Sequence, residues 1–314
     1  MGIFTTTLER MIYLFAFIFI GYLLVKLKVL KRDAACILSK LENTLFIPAL
    51  ILGTFLKNFS PSTLGTMGKL MLFSLLLELI IIPIAIAVAK LSSKDKFSQN
   101  VVTYGLSFSN FSFMGNAIVM VLFPDFFLEY LIFTLVLWAF IYVWATPTLL
   151  IPLDENASLR TRLKSFCNPM FICLLIGIVL GLLQVKLPTP VLDVIDTAGS
   201  CMSPVAMLLT GITIASADVK GSLHKAATWI ACAARLLIIP GIALLIFYFL
   251  PLPKTYLICA FCTLAMPLGL SPIVIPAAYG KDTSLAAAMA LISHALSILT
   301  LPLMIMLMQR VLGV

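Results

Sequence analysis

Long apolar runs recur along the whole chain, each separated from the next by a short polar or charged break. A run of about 20 apolar residues is the length at which an α-helix crosses the hydrocarbon core of a bilayer. The composition agrees, because 62% of the 314 residues are hydrophobic and 11% are charged, whereas a soluble domain has roughly a quarter charged residues. The sequence therefore predicts an all-α integral membrane protein and excludes a soluble domain.

Ten of these runs are predicted to cross the membrane. The first has the apolar character of a signal peptide, but no small-residue cleavage site follows it. Prolines interrupt the second and the seventh runs, at Pro48 and Pro204. The predicted spans are 9–28, 38–57, 68–90, 101–123, 128–151, 169–187, 193–215, 225–250, 255–278 and 284–311.

Positive charge is distributed unevenly between the two sets of loops that join these spans. If the N-terminus lies outside, fourteen Lys and Arg fall on inner loops and six on outer segments, and Arg235 lies within a span. Lys and Arg accumulate in loops that stay in the cytoplasm. The sequence therefore predicts a protein of the cell membrane with both termini outside. The net charge of +8 is interpreted as a topology signal and not as a nucleic-acid-binding surface.

The two halves of the chain resemble each other at a spacing of 155–160 residues. Four pairs match in the same order: 78–83 with 235–240, 21–27 with 181–187, Pro48 with Pro204, and Pro147 with Pro302. Each predicted half, 1–157 and 158–314, contains five spans, so the second half enters the membrane inverted. Inverted repeats are a transporter architecture. They predict a protein that alternates between states open to opposite sides of the membrane.

The fourth and ninth predicted spans cannot be straight apolar helices. The fourth carries Asn, Ser and Gly in mid-membrane, where polar groups need partners or water. The ninth has three prolines within ten residues, each of which removes a backbone hydrogen bond. Broken helices of this kind form substrate sites, and their half-helix N-termini favour anions. Neither segment contains Lys or Arg, so recognition of a carboxylate by amides and helix dipoles is predicted. The predicted binding residues are Ser109, Asn110, Ser112, Gly115, Asn116, Pro267, Gly269, Ser271 and Pro272.

Three ionisable residues, Glu78, Arg235 and His294, lie well inside predicted spans. Intramembrane ionisable residues are functional candidates by default. Glu78 is hypothesised to contribute to proton coupling or substrate entry; the alternative is a structural ion pair with Arg235, its counterpart in the other half. His294 is a candidate proton relay or a hydrogen-bonded packing residue. For Asn110 and Asn116, the alternative to substrate binding is a structural role, in which they cap or bridge helices.

The stretch 109–115, SNFSFMG, resembles the fourth-span signature of the auxin efflux carrier family, in its bacterial branch. The segment 235–240, RLLIIP, and Met266-Pro267 followed by Pro272 extend the likeness, which covers nearly the whole chain. The resemblance implies a fold shared with bile-acid-type sodium symporters. In that fold, spans four and nine cross. The implied scaffold helices lie near 9–57 and 169–215, and the implied transport domain near 68–151 and 225–311.

The same resemblance implies secondary transport of a small organic anion by an elevator motion. Members of the family move plant auxin or small carboxylates such as malonate and malate. It also implies that Asn110 lies beside the substrate carboxylate, and that two copies form a homodimer through the scaffold. Ala117 and Leu268 depart from the family pattern, and Leu268 weakens the transfer of auxin as the substrate.

Other functions stay open. A sodium-coupled symporter of the bile-acid type keeps the same fold, although neither broken segment contains a carboxylate. An anion channel is a further alternative, and so is an intramembrane enzyme, for which Glu78 and His294 are the available acid and base. No cofactor or metal is predicted, since the motif Cys259-x-x-Cys262 lacks a second pair or a His cluster. The expected partners are a small organic anion and membrane lipid.

Overall fold

The computed structural model describes residues 3–31, 34–61, 64–150, 169–216, 219–278 and 281–313. Over these ranges the chain is helical, and its only extended pairing is a single bridge at the candidate site. The helices are α1 (Ile3–Lys26), α2 (Ala34–Asn58), α3 (Leu64–Ser92), α4 (Lys96–Ser107), α5 (Phe111–Leu122), α6 (Pro124–Leu150), α7 (Pro169–Leu182), α8 (Thr189–Ser216), α9 (Ala226–Phe249), α10 (Lys254–Ala265), α11 (Ser271–Ala278) and α12 (Ser284–Leu312).

Seven of these helices, α1, α2, α3, α6, α8, α9 and α12, are long and apolar enough to cross a membrane. Three shorter apolar helices, α5, α7 and α10, accompany them. Large apolar side chains are exposed on the outer faces, for example Leu72 and Ile80 on α3 and Leu245 on α9. Such a surface suits lipid and not water. The protein is therefore a multi-pass, all-helical membrane protein.

Helix ends differ from the predicted spans where the local chemistry differs. Helix α1 begins at Ile3, six residues before the predicted span, and α7 ends at Leu182 instead of 187 because the chain turns at Gln184, whose φ is 52°. Helix α8 continues through Pro204 without a break. The predicted boundary between the halves at 157–158 lies outside the described residues. So do Arg160, Arg162 and Lys164, which are three of the fourteen Lys and Arg assigned above to inner loops.

Wide π turns accompany prolines inside three of the long helices. They lie at Glu42–Phe46 before Pro48, at Ile141–Leu150 around Pro147, and at Ala234–Ile238 before Pro240. Proline lacks an N–H and clashes with the preceding turn. A π turn widens the helix at that point, so these helices continue past proline.

The helices pack in two sets. In the first set, α1 packs against α8, and α2 packs against α7 and α8. In the second set, α3 packs against α4 and α6, while α12 packs against α9, α10 and α11. Glycines bring the backbones of the first set together: a Cβ at Gly21 would lie 2.3 Å from the Leu208 carbonyl oxygen, and one at Gly211 would lie 1.9 Å from that of Ile18. Small residues permit this approach in membrane helices.

Candidate functional site

Two interrupted helices meet at the centre of the second set. Helix α4 ends at Ser107 and α5 begins at Phe111, while α10 ends at Ala265 and α11 begins at Ser271. The two connecting segments pass each other in antiparallel orientation, with Ser109 paired to Leu268. At this crossover the Asn110 N–H donates to the Pro267 carbonyl at 2.7 Å. The beginnings of α5 and α11 are therefore held side by side.

Each break leaves unpaired carbonyls at the end of the preceding helix, and Arg235 of α9 satisfies them. Its side chain is fully buried. Nη1 donates to the Leu106 carbonyl at 2.7 Å, Nη2 to that of Thr263 at 2.7 Å, and Nε to that of Met266 at 3.1 Å. A cation at helix C-termini is also favoured by the helix dipoles. Arg235 thus joins the C-terminal ends of α4 and α10.

Asn110 caps the N-terminus of α5. Its backbone is non-helical, with φ −77° and ψ 46°, and its Oδ1 accepts a hydrogen bond from the Met114 N–H at 3.4 Å. Its Nδ2 lies 3.0 Å from Nε2 of His294, whose Nδ1 lies 2.8 Å from the Ala290 carbonyl. The neighbouring Ser109 bonds to a different group: its hydroxyl donates to the Thr263 carbonyl at 2.7 Å, which also accepts from Arg235.

A cavity of about 260 Å³ opens at the crossover, where α5 and α11 begin. The two half-helix N-termini contribute residues 109–113 and 269–271 to its wall. On one side, Trp138 and Tyr142 of α6 stack with ring centroids 5.6 Å apart. The other side is formed by Ser39 and Asn43 of α2 with Leu209 of α8. The cavity therefore lies between the two sets of helices.

Three hydroxyl oxygens around this cavity are buried without a hydrogen-bond partner: Tyr104 Oη, Ser112 Oγ and Thr146 Oγ1. Tyr104 Oη lies near the hydroxyls of Thr146 and Ser271, but no hydrogen bond of ordinary geometry joins it to either. Buried polar groups without partners cost free energy. A bound polar solute would supply the missing partners. It would also accept hydrogen bonds from the first N–H groups of α5 and from the Ser271 N–H of α11, which have no intrahelical acceptor.

The structure brings together five of the predicted binding residues in the cavity wall: Ser109, Asn110, Ser112, Gly269 and Ser271.

The other four predicted binding residues do not line it. Asn116 is buried on α5 with Oδ1 unpartnered. Gly115 lies against Tyr130, since a Cβ there would meet Tyr130 Oη at 2.1 Å. Pro267 contributes its carbonyl to the crossover, and Pro272 is the second residue of α11.

The three intramembrane ionisable residues lie outside the cavity wall. Glu78 is buried on α3 with Oε1 unpartnered. It interacts electrostatically with Arg235 without an ion pair, because the one salt bridge within the described ranges joins Lys57 to Asp196. His294 is buried directly behind Asn110.

Sequence reasoning missed several residues. Tyr104 and Thr146 reach the cavity from α4 and α6 by tertiary packing alone. Glu42 is fully buried in α2, and neither of its carboxylate oxygens has a partner. Its position inside the predicted span 38–57 was the available signal, but the neighbouring Lys40 makes that stretch resemble a loop.

Helices that break around a cavity in a multi-pass membrane protein are typical of a membrane transporter. The chain belongs to the auxin efflux carrier family, described as "Membrane transport protein", whose profile matches residues 6–162 and 155–305. This is a family of transporters and not of enzymes. A search of curated proteins found no match.

Proposed function

We propose that this protein is a secondary transporter of a small organic anion, a mono- or dicarboxylate such as malonate or malate, bound in the crossover cavity. One observation carries the proposal. The N-termini of α5 and α11 meet at a cavity that also holds three buried hydroxyls without partners. Backbone N–H groups and hydroxyls are donors for a carboxylate, and helix N-termini favour negative charge. The described residues that line the cavity include no Lys, Arg or His, so the anion is held by dipoles.

The size of the cavity favours a small substrate. Sites for drug-sized ligands occupy roughly 300–1,000 Å³, and this cavity of about 260 Å³ lies below that range. Malonate and malate suit it, and an auxin-like acid is the larger candidate. The rings of Trp138 and Tyr142 would contact the carbon skeleton, while the hydroxyls of Tyr104, Ser112 and Thr146 would bind the polar groups.

The proposed architecture has ten crossings in an inverted five-plus-five repeat, with α4–α5 and α10–α11 each forming one broken crossing. The family match in two segments of similar length supports it. Equivalent contacts support it as well. Gly21 of α1 approaches the α8 backbone at Leu208, and Gly181 of α7, 160 residues later, approaches the α2 backbone at Phe55. The breaks are equivalent too, because Asn110 and Pro267 are 157 residues apart.

Alternating access is proposed to be of the elevator type. Helices α1, α2, α7 and α8 would form the scaffold, and α3–α6 with α9–α12 the moving transport domain. The position of the cavity between the two sets of helices supports this, since the scaffold residues Ser39, Asn43 and Leu209 meet residues of the crossover there. We further propose the cell membrane, both termini outside, and a homodimer through the scaffold.

Proton coupling through Glu78 or His294 is proposed as the energy source, with sodium coupling as the rival. The test is uptake of radiolabelled malonate and malate into proteoliposomes of the purified protein, with an acid gradient, a sodium gradient or neither. Saturable uptake that Asn110→Ala abolishes is expected. Uptake that is unaffected by Asn110→Ala would place the site elsewhere. Large, non-saturating currents would favour a channel, and no uptake by folded protein would overturn the proposal.

A further inference from the structure

His294 of α12 lies directly behind the cavity and contacts it through one hydrogen bond, to Asn110. We propose that His294 is the proton-binding group of this transporter, and that it takes up one proton with each substrate anion by reorienting the Asn110 amide. The inference rests on the proposed function, since it requires an organic anion in the cavity. It assigns the coupling to His294 and not to Glu78.

Hydrogen-bond directions define the state of His294 in this structure. The Ala290 carbonyl can only accept, so Nδ1 of the ring, 2.8 Å away, carries a hydrogen. Oδ1 of Asn110 faces the Met114 N–H, so the other end of the amide, Nδ2, faces the ring. Because Nδ2 can only donate, Nε2 must accept. His294 is therefore neutral here, with its free lone pair directed at Asn110.

The cavity needs a positive charge that its wall does not contain. Burying an unpaired anion costs free energy, and the lining residues that the structure describes include no charged side chain. The guanidinium of Arg235 is already occupied by three carbonyls, and Glu78 would be negative when ionised. His294 is one side chain away from the cavity. A protonated His294 would supply the missing charge through Asn110.

Among the ionisable groups packed around His294, none competes with it as the proton-binding group. Three other elements pack on α12: α1, α8 and the turn Lys220–Ser222. Their ionisable groups are exposed or half-buried, and α11 has no ionisable group. No charged side chain in the described ranges interacts appreciably with His294. The buried titratable residues on the other helices packed against α12 are Tyr104 on α4, Cys232 and Arg235 on α9, and Tyr256, Cys259 and Cys262 on α10.

Proton uptake converts the hydrogen-bond network into an anion-binding form. A proton from solution bonds to Nε2 of His294, which then donates, so the Asn110 amide turns over and presents Oδ1 to the ring. Nδ2 is released with both hydrogens for the substrate carboxylate. The turn costs little, because the Met114 N–H keeps the backbone carbonyl of Asn110 at 3.2 Å. On the opposite side of the membrane the anion leaves, Nε2 returns its proton to solution, and the amide turns back.

Proton and anion therefore favour each other's binding, and the coupling is reciprocal. With one proton bound per anion, the affinity for the anion falls by up to about tenfold for each pH unit above the titration of His294 and levels off below it. The proton cancels the charge of a monocarboxylate and halves that of a dicarboxylate such as malonate, which lowers the cost of moving the loaded site through the membrane.

The test compares His294→Gln with wild type in malonate-loaded proteoliposomes. Gln can accept the Asn110 hydrogen bond but cannot titrate. The measured quantity is the ratio of radiolabelled malonate uptake with an inwardly directed acid gradient to uptake at symmetric pH. His224→Gln is the matched control, because it changes the only other histidine, which is exposed. We expect His294→Gln to reduce the ratio to about one, and His224→Gln to keep the wild-type ratio.

A binding measurement accompanies transport, so that a variant that is folded but inactive still tests the inference. Malonate-dependent thermal stabilisation of purified protein is recorded from pH 6.5 to 8, where malonate stays doubly ionised. Wild-type stabilisation should grow as pH falls, and that of His294→Gln should not change with pH. A gradient response or pH dependence that persists in His294→Gln overturns the inference, as does its loss in Glu78→Gln alone. Wild-type protein that neither transports nor binds malonate or malate would overturn the proposed function as well.

Discussion

The two helix breaks that meet at the cavity are made by different chemistry. Between α4 and α5 the chain contains no proline, and Asn110 forms the break by capping α5 with its own side chain. Between α10 and α11, Pro267 removes a backbone donor, and Pro272 removes another in the first turn of α11. The loop is held from outside, by Arg235 at the Met266 carbonyl and by the Ser293 hydroxyl at the Leu268 N–H.

Because of this difference, the α4–α5 break can change during transport, whereas the α10–α11 break is permanent. Proline cannot regain a backbone N–H, so the α10–α11 break persists in every state. At the α4–α5 break, the proposed proton uptake would turn the Asn110 amide. A change at His294 can therefore alter the first break without altering the second, and substitutions should affect the two breaks unequally.

The largest effect is expected from Arg235→Met, because Arg235 serves both breaks. Three buried carbonyls would lose a charged donor, and the free energy of unfolding should fall by about 3 kcal/mol or more. Thermal and denaturant unfolding in detergent measure this change. The matched control is Arg310→Met at the exposed end of α12, which should unfold as wild type does. Equal stability of the two variants would contradict the role assigned to Arg235.

Asn110→Ala should affect only the first break. Loss of the cap costs about 1 kcal/mol of stability, whereas loss of a hydrogen bond to a charged substrate should reduce carboxylate uptake by about tenfold or more. Asn116→Ala changes the same residue type in the same helix, but away from the cavity wall. Uptake measured for both variants distinguishes them, and equal losses would show that Asn116 shares the site.

Two fully buried tyrosines give a smaller and sharper contrast. Tyr104 Oη has no partner and faces the cavity, whereas Tyr130 Oη donates to the Phe111 carbonyl, at the start of α5, at 2.9 Å. Tyr104→Phe should raise the KM for malonate about three- to tenfold with stability unchanged, and Tyr130→Phe should lower stability by about 1 kcal/mol. Uptake kinetics and unfolding of both variants check this. A stability loss in Tyr104→Phe would indicate a structural partner.

The smallest effect is expected at Asp95, which caps the N-terminus of α4, the helix before the α4–α5 break. Its carboxylate accepts the Ser98 N–H at 2.7 Å, and this hydrogen bond holds the pKa of Asp95 below its ordinary value. The stabilisation is therefore present above about pH 3.9, the ordinary value, and disappears as pH falls through the lowered one. The melting temperature of Asp95→Ala should be lower than that of wild type at pH 7 and equal below pH 3.

Asp95→Asn tests the charge separately, because Asn caps helices as well as Asp does. It should stay close to wild type at neutral pH. A difference between wild type and Asp95→Ala that does not depend on pH would contradict this account.

The sequence was sufficient for features that depend on local chemistry. The polar run around Asn110 and the prolines around Pro267 predicted breaks in these two segments, and Asn110 does line the cavity. Asn116 does not, for a simple reason: six residues turn an α-helix by roughly 240°, so the two asparagines face different ways. The role of Arg235 could not be predicted from the sequence, because its partners are carbonyls of two distant segments. The contribution of Tyr104 and Thr146 to the cavity wall could not be predicted either, because tertiary packing brings them there.

The contacts at Gly21 and Gly211 have a mechanical consequence. Where backbone meets backbone, no layer of side chains is left to deform, and neither helix can slide past the other without a clash. Helices α1 and α8 therefore behave as one rigid unit. Around the cavity, by contrast, α2 and α8 meet the crossover through the side chains of Ser39, Asn43 and Leu209, which can be exchanged for others as the surfaces shift. The contacts at the cavity can therefore rearrange, whereas the pair of helices α1 and α8 behind it stays rigid.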